Sequence, residues 1–497
     1  MPSQRVVVLA FSEASPQLID KYCAAGLMPY LAELREKSAV GHTKYHVPFL
    51  LTPQMWATVF TSRSAGSHGI FDYWQRGADG VFVETHGSSI KGPTVWDAFL
   101  AQGVKSAVVN APVTFPPPES CAFAISGQDA PGLHESMMHP RKLYRELEQV
   151  FGRYHHKDIF PGPYSKAEYG DVLHAEMQRQ TDLFKHLVER EDWRFLLLYA
   201  SGSAFAQHYF WSDIDATAAP DVVRRMFMDM DDMIRTVHQS MQPEDIFLIM
   251  SECGAGPLTQ GVRLNRWLEQ GGYLARTQAK TGWLARVLTA IRTAAPRFIP
   301  RRLFYLVNGS PLKRWVQEKI TTDAIDWQNT RAYYRGKGEG NIYINLAGRD
   351  IYGIVAPQEY EALREEIIHR LSSLVDPATG KPAVRKVHKR EDLFPDDHAA
   401  APDLVVEWEE FQYMPAESLA SSEAVFGPRI REYMSWPTTG AHRRKGYFLA
   451  AGKDIPAGKL EEPVDLRDLA PTWLDLLGAS APEGMEGRSI KPLLTGG

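Results

Sequence analysis

IFLIMSECG, residues 246–254, sets five apolar residues directly before Ser-Glu-Cys-Gly. A short apolar run bounded by polar residues and glycine predicts a buried strand that ends at a site. Runs of the same kind recur at 6–11, 106–109, 195–199, 342–345, 404–407 and 447–450, with longer helical patterns between them. Strands alternating with helices predict an α/β layer fold with a mostly parallel central sheet. A sheet covered by helices on both faces also explains why the runs are uniformly apolar instead of alternating. Ligands in such folds collect beyond the carboxyl ends of the strands. The polar residues just after the runs are therefore the first candidates: Ser12, the segment 201–208, and Ser251, Glu252 and Cys253.

At 497 residues the chain exceeds the usual single-domain range, so a large domain with an insertion, or two domains, is expected. A net charge of -5, with 44% hydrophobic and 23% charged residues, fits a globular protein and gives no electrostatic case for nucleic acid as a partner. The opening MPSQRVVVLAF reads as a first strand rather than a secretory segment, because its apolar run is short and polar residues follow it. No stretch approaches the roughly 20 apolar residues of a membrane span. Three cysteines, Cys23, Cys121 and Cys253, make no disulfide framework, and a reducing cytoplasm is the expected location.

One region departs in composition. Residues 274–319 carry ten Lys and Arg against the single acid Glu318, interleaved with Trp283, Phe298, Phe304, Tyr305 and Trp315. That pattern predicts basic amphipathic helices, taken as part of a cap inserted at 257–340 into a core formed by 1–256 and 341–497. Such a cap either presents a solvated basic face or touches an anionic substrate or a membrane surface.

Thr52 precedes Pro53, and Met55, Trp56, Val59 and Phe60 follow at helical spacing, so Thr52 is expected to be an N-cap. Its hydroxyl then sits at a positive helix end, which favours developing negative charge on a nucleophilic oxygen and on a bound anion. Arg335 and Lys337 lie in a glycine-rich loop, and Arg443 follows His442; cations so placed can approach an anionic substrate closely. Asn110, at the end of the run 106–109, is a further candidate for the pocket wall.

The segments VVVLAFSEASPQLID, LTPQMWATVFTSRSAGSHGIFDYW, VNAPVTFPP, AQHYFW, SECGAGP with LNRWL, GNIYINLAGRD, TTGAHRRKGYFLAAG and VDLRDLAPTWLDLLGASAPEGMEGRSI occur in order along almost the whole chain. Together they resemble the alkaline phosphatase superfamily, in particular its type I phosphodiesterase/nucleotide pyrophosphatase branch. The resemblance implies a central sheet layered by helices, with an inserted cap. It also implies two zinc ions on strand-end residues and a threonine that attacks phosphorus before water releases the product; Thr52 falls at that threonine. Where the family has aspartates, this chain has Ser12 and Ala204, and where it has an aspartate followed by a histidine, this chain has Glu252 and Cys253. Only His208 and His442 match the family's ligands.

A full pair of zinc sites is therefore not expected, since zinc requires three or four good N, S or carboxylate ligands. One reading gives a single zinc ion to Glu252 and Cys253 with His208 or His442; another gives Cys253 to the core and leaves the two histidines as general acid and base. Glu13 could replace a missing carboxylate, but its position next to Ser12 on a strand predicts that it points to the opposite face. The expected catalytic set is Thr52, His208, His442, Glu252 and Cys253, with Ser12, Asn110, Arg335, Lys337 and Arg443 around the substrate. The expected function is that of a diverged enzyme acting on an anionic phospho- or sulfo-ester or a biosynthetic intermediate, with a metal-poor or metal-free pocket. A catalytically inactive ligand or partner binder, and a conventional metal-dependent phosphodiesterase with rearranged ligands, are the alternatives.

Overall fold

The computed structural model describes residues 4–77, 82–127, 130, 134–152, 164–215, 221–277, 324–336, 340–394, 400–417, 419, 424–427 and 438–496. The elements that position the site are strands β1 (Val6–Phe11), β2 (Ala39–Lys44), β3 (Ser106–Val109), β4 (Phe195–Ala200), β5 (Ile246–Met250), β6 (Gly254–Pro257), β7 (Gly440–Arg443) and β8 (Gly446–Ala451), and helices α1 (Thr52–Thr61) and α2 (Gly202–Phe210). The central sheet runs β2-β8-β5-β1-β4-β3 and continues through Phe123–Ile125 to Met138–His139. Strand β1 lies at its middle, parallel to both neighbours, with Val6 beside Phe195 and Ile246. That register brings Ser12, Ser201 and Ser251 out at one edge.

All six residues of β1 are buried, and alternation divides them between two cores. Val6, Val8 and Ala10 face a cluster that includes Trp56, Phe60, Trp96 and Trp473, whereas Val7, Leu9 and Phe11 face Phe184, Phe227 and Met230 from the helices Lys166–Val188 and Val222–Gln239. Each such large side chain contributes on the order of 2–3 kcal/mol by leaving water. The uniformly apolar runs are thus explained by helices on both faces.

Two features of the mostly parallel sheet were not specified by the sequence. Strand β8 runs antiparallel to β5 and carries β2 as its outer neighbour. Strand β2 was not expected at all, because AVGHTK is buried on alternate residues only and carries no continuous apolar run.

The division of the chain differs from the expected one. Strands Asn341–Ile344 and Leu404–Trp408 do not join the central sheet; they pair with Ala332–Tyr334 and Val384–Lys389 in a separate four-stranded antiparallel sheet. Its core draws on residues from Val262 to Phe426, among them Ile342, Ile344, Leu363, Ile367, Leu404 and Val406, whereas Phe394, Ala401 and Val405 pack in the central core. The short apolar runs of the two strands are those of any buried strand, so periodicity alone could not assign them to a sheet. Most of the basic stretch 274–319 lies outside the described residues.

Polar contacts among the described residues fasten this unit to the central domain. Arg76 Nη1 meets Asp350 Oδ1 at 3.1 Å, Asn341 Nδ2 donates to Asp72 Oδ2 at 2.7 Å, Arg444 Nη2 donates to Glu407 Oε1 at 2.6 Å, and Arg443 Nη1 donates to the Phe411 carbonyl at 3.1 Å. Among the described residues no helix is long and apolar enough to cross a membrane.

The antiparallel pair β6 and β7 sits against α2, with Ala255 opposite His442. Gly440 opens β7 where the Gln207 carbonyl passes; a Cβ there would stand 2.3 Å from that oxygen. Backbone cannot yield as a flexible side chain does, so Gly440→Ala is expected to lower stability by about 1–3 kcal/mol. Thermal melting checks this; an unchanged midpoint would show that the contact is slack.

Candidate active site

The polypeptide leaves β1 through Ser12 and then turns sharply: Glu13 has φ 57°, in the left-handed region. A non-glycine residue there costs about 1–3 kcal/mol and persists only when its surroundings hold it. They do. Ser203 Oγ donates to the Ser12 carbonyl at 2.6 Å and Gln207 Nε2 donates to the Glu13 carbonyl at 2.8 Å. On the far side of the turn, the Ser15 and Ala14 amides donate to Gln207 Oε1 and Ser251 Oγ, at 3.3 and 2.8 Å. Ser203 and Gln207 stand at i and i+4 on the otherwise apolar α2, so one polar stripe of that helix secures the turn.

The turn aims the Glu13 carboxylate at two imidazoles. Its oxygens lie 3.0 Å from His208 Nε2 and 3.0 Å from His442 Nε2. The two rings are 5.3 Å apart, centroid to centroid, nearly edge to face. Each ring is anchored through its other nitrogen: His208 Nδ1 donates to the Gly440 carbonyl at 3.0 Å, and His442 Nδ1 donates to the Leu50 carbonyl at 2.5 Å. His442 is thereby tied to the segment that leads into Thr52. Glu13 is buried, which by itself would raise its carboxyl, but the adjacent His208 and His442 outweigh burial and hold it well below the usual carboxylate range.

A second carboxyl lies one strand over. Glu252, fully buried after β5, accepts a hydrogen bond from Ser12 Oγ at 3.1 Å. Burial, and then the charge on Glu13, push it up to about 7 against the opposing bond from Ser12. Environments that drive two neighbouring carboxyls apart in this way keep one charged and one neutral near pH 6. Trp56 and Tyr199, crossing at 86°, lie beside Glu252; the Trp56 side chain works against the rise that burial imposes.

Thr52 is half-buried and opens α1, one turn before Trp56 on the same face. It is the first helical residue rather than the expected N-cap: Leu51 has the extended backbone, and its carbonyl accepts the Met55 amide at 2.9 Å. The hydroxyl remains at the helix's positive end. His208 falls in the last turn of α2 rather than at its beginning, and His442 lies on strand β7 rather than in a loop.

Other expected site residues are placed as follows. Cys253 is fully buried in the core cluster that holds Met250 and Phe448, and it is not grouped with the histidines. Arg443 is taken up by carbonyls of Pro257, His442 and Phe411, at 2.5, 2.7 and 3.1 Å, so its guanidinium fastens backbone around His442. Burial lowers it to about 10. Arg335 lies over the Phe82 ring, 4.7 Å from the centroid. Asn110 ends β3 in a left-handed conformation, φ 63°, at the same sheet edge as the histidines and two strands from β1. Lys337 lies outside the described residues.

The residues present fit one metal ion. Glu13, His208 and His442 are the one group of three or more possible ligands among the described residues whose ligating atoms lie within 4.8 Å of one another. Two imidazoles and a carboxylate form a donor set suited to zinc with a position left open. Each imidazole makes the outer hydrogen bond that fixes such a ligand's orientation. Glu252 and Cys253, substitute ligands in one of the two readings of the sequence, are not in this group; Glu252 is engaged with Ser12, and Cys253 lies in the core, as the other reading has it. Glu13, expected to point away, takes their place because the left-handed turn breaks the strand alternation on which that expectation rested. Ser203 and Gln207, the polar stripe on α2, were the readable sign that the turn is held.

The family model described as type I phosphodiesterase/nucleotide pyrophosphatase matches residues 6–422. No curated protein matches the chain at the sequence level. Among solved structures, phosphonoacetate hydrolase from Sinorhizobium meliloti 1021, in complex with phosphonoacetate, is similar with TM-score 0.54 and 14% identity, over 97% of this chain and 96% of that one. Murine ectonucleotide pyrophosphatase/phosphodiesterase 5 is similar with TM-score 0.52 and 11% identity, over 96% of each chain. Its inactive threonine-to-alanine variant, in complex with AMP, is similar with TM-score 0.52 and 10% identity, over 96% of each chain. With the family model spanning most of its length and this fold around it, the chain belongs to the type I phosphodiesterase/nucleotide pyrophosphatase family of the alkaline phosphatase superfamily.

Proposed function

We propose that this protein is a hydrolase of small anionic esters, with phosphodiesters and phosphonates as the substrate class, and that it works from a metal-poor pocket. The observation that carries the reading is the convergence of His208, His442 and Glu13 beside the segment that opens α1 with Thr52. Support for the substrate class comes from the family and from the phosphonoacetate and AMP named for its structural neighbours.

Thr52 Oγ supplies the nucleophile at the positive end of α1, where an anionic group is also favoured. Its oxygen gives up its proton to solvent and forms a bond to phosphorus as the bond to the leaving alkoxide or phenoxide breaks, and the departing oxygen takes a proton from solvent. Water then attacks the phosphorus and the threonine hydroxyl is restored. An ion held by Glu13, His208 and His442 would supply Lewis-acid polarisation and charge neutralisation at the phosphoryl group. Glu252, neutral below about pH 7, adds no second negative charge to repel the substrate. Arg443 acts through the backbone around His442 and positions that ring.

A second reading, a ligand-binding protein without turnover, is favoured by one observation. The Ser12 to Glu252 hydrogen bond occupies the place where the family would put further metal ligands. Full-length protein loaded with zinc or manganese and assayed on an aryl phosphodiester and an aryl phosphonate separates the two. Turnover that falls about a thousandfold in Thr52→Ala is expected, with the melting midpoint unchanged. No turnover by the parent on either ester, with the ligand still bound, would favour the binder.

Glu252 also has a stability signature. Its folded-state value lies above the ordinary 4.5 of a glutamate, at about 7. The native state therefore binds the extra proton between these limits, and stability falls as pH rises from about 4.5 to about 7, then levels. Glu252→Gln removes that loss, on the order of 3 kcal/mol at pH 8, and should flatten the profile over this window. Denaturant unfolding at pH 5 and pH 8 measures it; an equal slope in parent and variant would contradict the assignment.

A further inference from the structure

We infer that Glu13 is the carboxylate ligand of a single-ion site completed by His208 and His442, and that the neighbouring Ser12, Glu252 and Cys253 hold no second ion. The inference deepens the hydrolase reading above by naming which side chains hold the ion and how many ions there are.

The geometry carries it in three steps. First, both imidazoles donate Nδ1–H to carbonyl oxygens, Leu50 for His442 and Gly440 for His208, and a carbonyl can only accept. Those bonds leave Nε2 of each ring as the nitrogen that faces the Glu13 carboxylate, at 3.0 Å in both cases. One carboxylate oxygen and two Nε2 atoms thus converge on one point, as the donor set of a cation requires. A divalent cation held there leaves the outer hydrogen bonds of both rings intact. Second, the arrangement is held against strain: Glu13 keeps φ 57° because Ser203, Gln207 and Ser251 fix the turn from two sides. A chain free to relax would turn the side chain away. Third, the cluster can be reached, since the His208 and His442 side chains remain 20% and 19% exposed, whereas Glu252 and Cys253 are fully enclosed.

Position 204 offers an independent handle. Ala204 lies on α2 one turn before His208, so a carboxylate placed there faces the same point as the imidazole. In Glu13→Gln, the amide keeps the volume and loses the charged donor; in Glu13→Gln with Ala204→Asp, a carboxylate returns from the helix.

The test is titration of metal-stripped full-length protein with zinc chloride against a chromophoric chelator, with thermal melting as the control for folding. The parent is expected to bind one equivalent. Glu13→Gln should weaken binding by about a hundredfold at an unchanged apo melting midpoint. The double variant should recover most of that loss. Glu252→Gln and Cys253→Ser should bind as the parent does. Parent-like affinity in Glu13→Gln, a hundredfold loss in Glu252→Gln or Cys253→Ser, two equivalents in the parent, or none, would each overturn the inference. Zinc binding is read without turnover, so the two readings fail separately. One equivalent held through Glu13 with no hydrolysis removes the hydrolase reading alone, and hydrolysis by protein that binds no zinc removes this one alone.

Discussion

The carboxylate of Glu13, held between His208 and His442 by a left-handed turn, is the constraint around which the site is organised. The conformation costs about 1–3 kcal/mol. A positive charge 3.0 Å from that carboxylate is worth about 5 kcal/mol at an effective dielectric constant of about 20, so the electrostatic term exceeds the strain. The turn is stable only while both sides of it are engaged. Helix α2 holds one side through Ser203 and Gln207, and the exit of β5 holds the other through Ser251.

The same exits divide the roles of two carboxyls. Glu13 follows the central strand and stays charged; Glu252 follows its neighbour and stays neutral to about pH 7 because it is buried and faces the charge on Glu13. Ser12 sits between them, its hydroxyl on Glu252 and its carbonyl on Ser203. A charged pair of carboxyls would repel an anionic ester. One charged and one neutral carboxyl leaves net positive character to the imidazoles, to an ion among them and to the end of α1.

Much of this was legible in the sequence, and the failures have physical causes. The apolar runs gave the central strands and hence the sheet edge where Ser12, Ser251 and Glu252 emerge, since a strand buried on both faces has no other composition. Thr52, His208 and His442 were identified by motif, though α2 and β7 proved to hold the histidines differently from expectation. Glu13 was set aside because strand alternation forbids it, and alternation ends where φ becomes positive, which no residue type in SEAS announces. Strand β2 was missed because half of it faces water or the sheet edge. The runs at 342–345 and 404–407 pair in a separate sheet, because an apolar run does not say which sheet it joins.

The central claim concerns where positive charge sits, and diffraction locates a metal directly. Crystals grown from zinc-loaded protein and measured on either side of the zinc absorption edge should show one anomalous peak, enclosed by Glu13, His208 and His442. A peak at Glu252 and Cys253, or two peaks, would contradict the account.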